Sequence, residues 1–391
     1  MAGSVEGMRV VLVTHNSEAG GAVRAMLELI DGLRERGVAC SVLLRERGWL
    51  VEELNRRNIP FAIIPYRWWS SPRRWWRNRL LNLLALMMVI PVRSQLKRWE
   101  ADVVLTNTSV IGVGALAAYF LRKPHVWYIH EFGKEDHGLI YDLGIRLSSR
   151  LMARLSALVI VNSKAVEAYY ARFIPQRQIR VVYCGIEDQG EPATDPILDT
   201  KALRASRAAQ LVLVGTLQEG KGQTDAVRAL GQLISQGVQV ELTLVGPDAP
   251  GDPGRVQRLV SSRGLEKLVK FTGQVSDPSS IVKGSDIALV CSRSEAFGRV
   301  TVEAMKLGKP VVGARSGATP ELIRESFNGL LYTPGDYLEL AQKIKYLIDN
   351  PEVARQMGDN GRRWAEAEFS LEKYAGKVFE TLEEVLRQRG V

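Results

Sequence analysis

The chain of 391 residues has only three cysteines, Cys40, Cys184 and Cys291, far apart and in no Cys-x-x-Cys pair. That excludes a disulfide framework or a cysteine-based zinc cluster and fits a reducing compartment. Histidine is also scarce. His15, His125, His130 and His137 form no His-Glu-x-x-His, and Asp-x-Asp does not occur, so neither a metal nor a bound cofactor is expected. Long apolar runs are missing too. The longest, Leu80 to Val92, is interrupted by Asn82 and Pro91 and falls short of the about 20 residues that cross a bilayer. The opening MAGSVEGMRVVLVTHN has no basic stretch before a long apolar one, so no secretory leader is expected. Together these absences predict a cytoplasmic protein.

What is present is an ordinary globular composition, 46% hydrophobic and 24% charged, which excludes a disordered or collagen-like chain. The length exceeds one hydrophobic core and predicts two domains. One segment stands apart. Between Tyr66 and Trp99 lie eight cations and no acid, nearly all of the formal charge of +9, and five of the eight tryptophans. The excess charge is therefore a local patch on an otherwise balanced chain.

The first half alternates short, continuously apolar runs with helical periodicity. Val10–Val13, Ala39–Leu44, Phe61–Ile64, Val103–Thr106, Val126–Ile129, Leu158–Val161 and Arg180–Tyr183 read as strands covered on both faces. Ala22–Arg36 and Gly144–Leu155 read as helices between them. After an acidic, proline-bearing stretch the alternation restarts with Leu211–Val214, Val240–Val245, Val269–Phe271, Ile287–Cys291, Pro310–Gly313 and Leu330–Tyr332. This predicts an α/β protein of two doubly wound, Rossmann-like parallel-sheet domains facing a cleft. The expected boundaries are 1–187, a linker over 188–206, 207–370, and a terminal helix over 371–391 that packs back on the first domain. Chemistry belongs in the turns after the strands.

Three such turns stand out. Gly20-Gly21 precede a periodic helix, where backbone can approach a ligand and exposed N–H groups suit an anion; a tight strand-to-helix turn accounts for the doublet equally well. Gly215-Thr-Leu-Gln-Glu-Gly220-Lys221 fits the start of a phosphate-binding P-loop, but Gly222 stands where its Ser or Thr belongs. That argues against a magnesium-dependent NTPase and leaves Lys221 either beside a phosphate or solvated on a loop. After Ile287–Cys291 comes SRSEAFGRVTVEAM, with Glu295 and Glu303 separated by seven residues. A helix starting near Gly298 would set Glu303 inside it and Glu295 in the loop before it, with free N–H groups around Phe297–Arg299.

These motifs resemble a known family. SRSEAFGRVTVEAMKLGKPVVGARSGATPELI is similar to the E-x7-E region of retaining glycosyltransferases of the GT-B fold, in the GT4 group of glycosyl transferases group 1. VTHNSEAGGAVRAMLELIDGL resembles the family's N-terminal loop, VWYIHEFG the segment with its active-site histidine, VGTLQEGKG its phosphate loop, and YCGIE its hinge-proximal pattern. The resemblance implies that Glu303 holds ribose hydroxyls, Glu295 a donor-sugar hydroxyl, and Lys221 the diphosphate. It implies that His130 bonds the transferred sugar and that Gly20 and Gly21 approach donor and acceptor. Gly215, Thr216, Phe297, Gly298, Arg299 and Val300 complete the implied donor site. Two positions depart: Thr216 stands where the family has Arg, and Cys184 where it has Asn. The implied reaction is metal-independent transfer, with retention, from a nucleotide-diphosphate sugar to a glycan or lipid-linked acceptor in envelope synthesis. A nucleotide-sugar epimerase of the same fold and a non-catalytic nucleotide-sugar-binding protein are the rivals. For His130, a satisfied structural role competes with catalysis.

The basic segment predicts a helix over 73–99, broken near Pro91 and buried on more than one side along Leu80–Ile90. Packing on the sheet explains its apolar middle. It does not explain Arg73, Arg74, Arg77 and Arg79 at its N-terminal end, where cations oppose the helix dipole. With Trp68, Trp69, Trp75 and Trp76 they suit anionic lipid headgroups. Peripheral attachment to the inner face of the cell membrane is expected. Nucleic acid competes for the patch through phosphate contacts and stacking, but is not the expected partner.

Overall fold

The computed structural model describes residues 7–71, 86–190, 207–249, 251 and 253–388. The chain forms two compact units, Met1–Glu187 with Leu371–Val391, and Asp188–Ser370. The linker expected over 188–206 falls largely outside the described residues.

In the first unit the apolar runs become β1 (Arg9–Val13), β2 (Ala39–Leu44), β3 (Phe61–Ile63), β5 (Val103–Thr106), β6 (His125–Ile129), β8 (Leu158–Val161) and β9 (Ile179–Val181). They make one parallel sheet in the order β3-β2-β1-β5-β6-β8-β9. β5, β6 and β8 are buried along their whole length, which is why their sequences are apolar without alternation. A separate antiparallel pair joins β4 (Ser70–Ser71) to β7 (Ile140–Tyr141). The helix Gly21–Arg34 buries Val23, Met26, Leu27, Ile30 and Leu33 at helical spacing, each such side chain stabilising by about 2 kcal/mol. The terminal helix Leu371–Arg387 belongs to this unit and packs on Gly21–Arg34. There Tyr374 donates its hydroxyl to the Ala25 carbonyl at 3.2 Å.

The second unit is built from β10 (Ala209–Val214), β11 (Val240–Val245), β12 (Val269–Phe271), β13 (Ile287–Val290), β14 (Val311–Ala314) and β15 (Gly329–Tyr332), parallel in the order β12-β11-β10-β13-β14-β15. Each sheet reverses its direction of growth once, between β1 and β5 and between β10 and β13. A crevice opens beyond the strand ends at such a reversal, because the flanking connections leave on opposite faces.

Of the helix expected over 73–99, residues 73–85 lie outside the described residues. A 3-10 turn, Leu86–Met88, runs into the helix Val89–Arg98, and Pro91 sits in its first turn. Its missing N–H has no intrahelical acceptor there, so the proline marks a helix start. Of the stretch Leu80–Ile90 expected to be buried on more than one side, the side chains at 87–90 are described and show one buried side. Val89, Val92 and Leu96 join the core with Val11, Val13 and Val104, while Met87 and Ile90 are 59% and 69% exposed. Among the described residues no helix is long and apolar enough to cross a membrane.

Candidate functional site

In the second unit, the turns after β10 and β13 converge because those strands pair. After β10 the stem of Lys221 passes over Gly215, and the Thr216 carbonyl accepts from Gln223 Nε2 at 2.9 Å. Lys221 Nζ bonds Glu295 Oε2 at 2.9 Å, so two residues 74 apart in sequence meet. Gly222 is left-handed, φ +67, and a Cβ there would lie 2.0 Å from the Cys291 carbonyl oxygen. A Ser or Thr at this position is sterically impossible without moving backbone, which explains the departure from the P-loop pattern. The Cys291 thiol is buried, and burial pushes its pKa up to about 12. It is inert packing beneath the loop.

The helix Arg299–Lys306 starts from Gly298, again left-handed (φ +97), where a Cβ would press on Leu322 and Thr301 at 3.1 Å. The turn aims the first amides of the helix past Glu295, whose Cγ lies 3.3 Å from that position. Phe297 is buried and meets Phe369 edge to face at 5.8 Å. Its side chain therefore serves the core, leaving only its backbone for a ligand. Val300 is half-buried. Glu303 lies one turn into the helix, 3.5 Å from Arg299 Nη2, with 23% of its side chain exposed.

In the first unit, Gly20 precedes the helix that begins at Gly21. Its φ is −114°, and a Cβ would meet nothing within 4 Å. The fold itself does not require glycine there. His130 follows β6, with Nε2 2.8 Å from Asn107 Oδ1. Asn107 also donates Nδ2 to the Ala22 carbonyl at 2.9 Å. A carbonyl only accepts, so the amide oxygen faces His130 and takes its Nε2–H. One asparagine thus links the histidine to the glycine turn. Cys184 Sγ is 3.9 Å from His130 Nδ1.

The acidic neighbour of His130 in the sequence is anchored inside the first unit. Glu131 is 6% exposed. Its Oε1 accepts from Thr108 Oγ1 at 2.7 Å, Ser109 N at 2.6 Å and Ser109 Oγ at 2.7 Å, and Oε2 accepts from His130 N at 3.1 Å. Burial alone would raise its pKa, but His15 and the Ser109 donors hold it below the ordinary carboxylate range. The available signal was Thr106-Asn107-Thr108-Ser109, four consecutive polar residues after an apolar strand, all fully buried. His125 is different: burial lowers its pKa to about 3, and its Nε2 lies 2.8 Å from Thr106 Oγ1. It is neutral and structural.

Of the residues expected at a membrane surface, Arg73, Arg74, Trp75, Trp76, Arg77 and Arg79 lie outside the described residues. Trp68 and Trp69 are tied to the first unit by their indole N–H groups. Both are half-buried. Trp68 donates its indole N–H to the His15 carbonyl at 3.1 Å, and Trp69 donates to Ser109 at 2.7 Å and stacks on Trp127 at 5.6 Å.

The family model for glycosyl transferases group 1 matches residues 197–364, and that for glycosyltransferase family 4 matches residues 19–189. The chain is 30% identical over 311 residues to 2-deoxystreptamine glucosyltransferase of Streptomyces kanamyceticus, covering 74% of this chain and 79% of that protein. It is 28% identical over 214 residues to N-acetyl-alpha-D-glucosaminyl L-malate synthase of Bacillus anthracis, covering 54% of this chain. There it spans about half, 55%, of the relative's length. The structure is similar to HepE of Anabaena in complex with UDP, with TM-score 0.80, 26% identity, and coverage of 96% of this chain and 100% of that one. HepE is also known in complex with UDP-glucose.

Proposed function

The chain belongs to the glycosyl transferases group 1, in the GT4 group of GT-B fold, and we propose that it moves a sugar, with retention, from a UDP-sugar to a glycan or lipid-linked acceptor in envelope synthesis. The observation that carries this reading is the meeting of Lys221 and Glu295 at 2.9 Å beyond the ends of β10 and β13, beside the helix that bears Glu303. UDP is favoured as the nucleotide because the similar HepE binds UDP and UDP-glucose.

Breaking the sugar–phosphate bond leaves negative charge on the diphosphate and positive charge at the anomeric carbon. Lys221 and the first amides of Arg299–Lys306 act where the negative charge grows. Glu303 holds the ribose hydroxyls and Glu295 a sugar hydroxyl. In the first unit His130, oriented by Asn107, holds the sugar being transferred, and Gly20-Gly21 leave room for substrate. The acceptor oxygen attacks from the face the diphosphate leaves, and its proton passes to a diphosphate oxygen. No metal is required, since lysine and helix amides supply the positive field.

Thermal melting with UDP, GDP and ADP is expected to show a rise with UDP, since a ligand of the native state alone raises Tm. Incubation with UDP-sugars and candidate acceptors should release UDP only when acceptor is present, unchanged by EDTA, and yield a product of retained anomeric configuration. UDP-sugar conversion without acceptor, or an inverted product, defeats the proposal.

A further inference from the structure

His130 is tied from the strand ends on both sides of its own. It stands half-buried just beyond β6, and the sheet order sets β5 on one side of that strand and β8, then β9, on the other. From beyond β5, the buried Asn107 takes the Nε2–H at 2.8 Å. From beyond β8, Asn162 Nδ2 donates to the His130 carbonyl at 3.2 Å. From beyond β9, the buried thiol of Cys184 lies 3.9 Å from Nδ1. The Tyr128 ring meets the imidazole with centroids 4.2 Å apart. One ring nitrogen thus faces an acceptor and the other a thiol.

Counting donors gives each bond its direction. Asn107 spends an N–H on the Ala22 carbonyl, so its oxygen accepts and the histidine proton is on Nε2. The Cys184 proton has two acceptors within reach, His130 Nδ1 and, at 3.6 Å, Tyr128 Oη. Tyr128 gives its own proton to the Val182 carbonyl at 3.0 Å and so does not donate to sulfur. An imidazole nitrogen takes up a proton near neutral pH and a phenol oxygen does not. Nδ1 is therefore the better acceptor for the S–H.

Charge pulls the other way. The Glu131 carboxylate, which accepts from His130 N at 3.1 Å, favours an imidazolium beside it. The other titratable groups around the ring come from four elements. They are Tyr128 of β6, Tyr170 of the helix Lys164–Tyr170, whose hydroxyl donates to the Glu131 carbonyl at 3.4 Å, Tyr374 of the terminal helix, 6.2 Å from the Tyr128 ring, and His15 after β1, whose charge acts on Glu131. Burial keeps Tyr128 and Tyr170 neutral. Apart from burial, what opposes Glu131 at the ring is the bond from the thiol to Nδ1, which only a neutral imidazole can accept.

We propose that Asn107 and Cys184 are positioning residues that hold His130 neutral, with its proton on Nε2 and its Nδ1 lone pair under the Cys184 thiol. A thiol is a weak donor, so a sugar hydroxyl displaces it from Nδ1 at little cost. Neutrality matters because positive charge grows at the anomeric carbon during transfer, and an imidazolium nearby would oppose it. The consequence for transfer rests on the reading that His130 touches the transferred sugar; the placement of the proton does not.

The full chain, carrying heavy nitrogen in its histidines, is titrated by NMR from about pH 5 to about pH 8. The His130 signals are those missing from His130→Asn. In the wild type Nε2 should be protonated and Nδ1 bare at neutral pH. Cys184→Ala removes the S–H and should raise the His130 midpoint by roughly half to one pH unit. Cys184→Asn, which returns an N–H donor, should restore it. Asn107→Asp sets a carboxylate on the Nε2–H and should raise the midpoint by about one to two units. The acid limb of kcat/KM for acceptor-dependent UDP release reports protonation of the free enzyme and should move by the same amounts. A wild-type ring protonated at neutral pH on both nitrogens, or on Nδ1 alone, overturns the proposal. So does a midpoint that Cys184→Ala, with wild-type Tm, leaves in place. The wild-type spectrum decides by itself if the variants misfold. If the NMR midpoint moves and kcat/KM does not follow, the proton placement stands and the reading of His130 at the sugar falls.

Discussion

Replacing Glu295 by Gln should separate nucleotide grip from sugar transfer. In the free protein the Glu295 carboxylate holds Lys221 Nζ at 2.9 Å, and the two side chains are 16% and 29% exposed. A diphosphate arriving at Lys221 must displace that carboxylate and sit near its charge. Such a half-buried pair, still reached by water, is worth about 0.5–1 kcal/mol. Without the charge, UDP, which carries no sugar for Glu295 to hold, should bind roughly two- to fivefold more tightly. Turnover should move the other way, by about a hundredfold, because a polar contact to the sugar in the transition state is lost. Lys221→Ala should weaken UDP and also lower kcat, by about 10²–10³-fold. Neither change should lower Tm by more than about 4 °C, given the small worth of the pair. Titration calorimetry with UDP, run beside an acceptor-dependent UDP-release assay, reads both quantities. The reasoning is refuted if Glu295→Gln weakens UDP as Lys221→Ala does, or if both variants turn over within about threefold of wild type.

Gly20→Val should leave Tm within about 2 °C of wild type, since a Cβ there meets nothing within 4 Å, yet abolish turnover; a matching fall in Tm would make the glycine structural. Gly222→Ala drives a Cβ to 2.0 Å from the Cys291 carbonyl oxygen and should cost at least about 2 kcal/mol in urea unfolding. Glu131→Gln should destabilise at neutral pH. The wild-type pKa is lowered from 4.5 in the folded state, so its contribution is present above that value and fades as pH falls through the lower, folded pKa. The gap between wild type and Glu131→Gln in urea should therefore narrow in acid, and a gap that does not narrow removes the electrostatic account.

The strands were the most legible part of the sequence. Ala39–Leu44, Val103–Thr106, Leu158–Val161, Val240–Val245 and Val269–Phe271 appear with the boundaries their apolar runs suggest, because a strand buried on both faces leaves no polar position within it. β9 begins and ends earlier than its apolar run, at Ile179–Val181, since its extent is fixed by pairing with Val159–Val161. The β4–β7 pair was invisible: Ser70–Ser71 carries no strand pattern and is held by a partner 70 residues away. In the second unit, Lys221, Glu295 and Glu303 could be named because each sits in a recognisable loop or helix start. The polar run Thr106–Ser109 and Glu131 beside His130 are visible in the sequence, but their meeting is not, because it depends on the pairing of β5 with β6. At Pro91 the sequence says less. Proline signals an interruption, and sequence alone does not say whether the helix stops or starts there.

The terminal helix Leu371–Arg387, through Tyr374 on Ala25 and Arg180 on Glu384 at 2.8 Å, makes the first unit discontinuous along the chain. During synthesis the segment 1–187 leaves the ribosome without its final helix, whereas 188–370 is complete before that helix exists. The unit made first is thus finished last. A fragment ending at 187 would expose the apolar face of Gly21–Arg34 and be prone to aggregate, and a fragment of 188–370 would not. Joining 371–391 by a short linker ahead of residue 7, as in a circular permutant, would let the first unit close as it emerges.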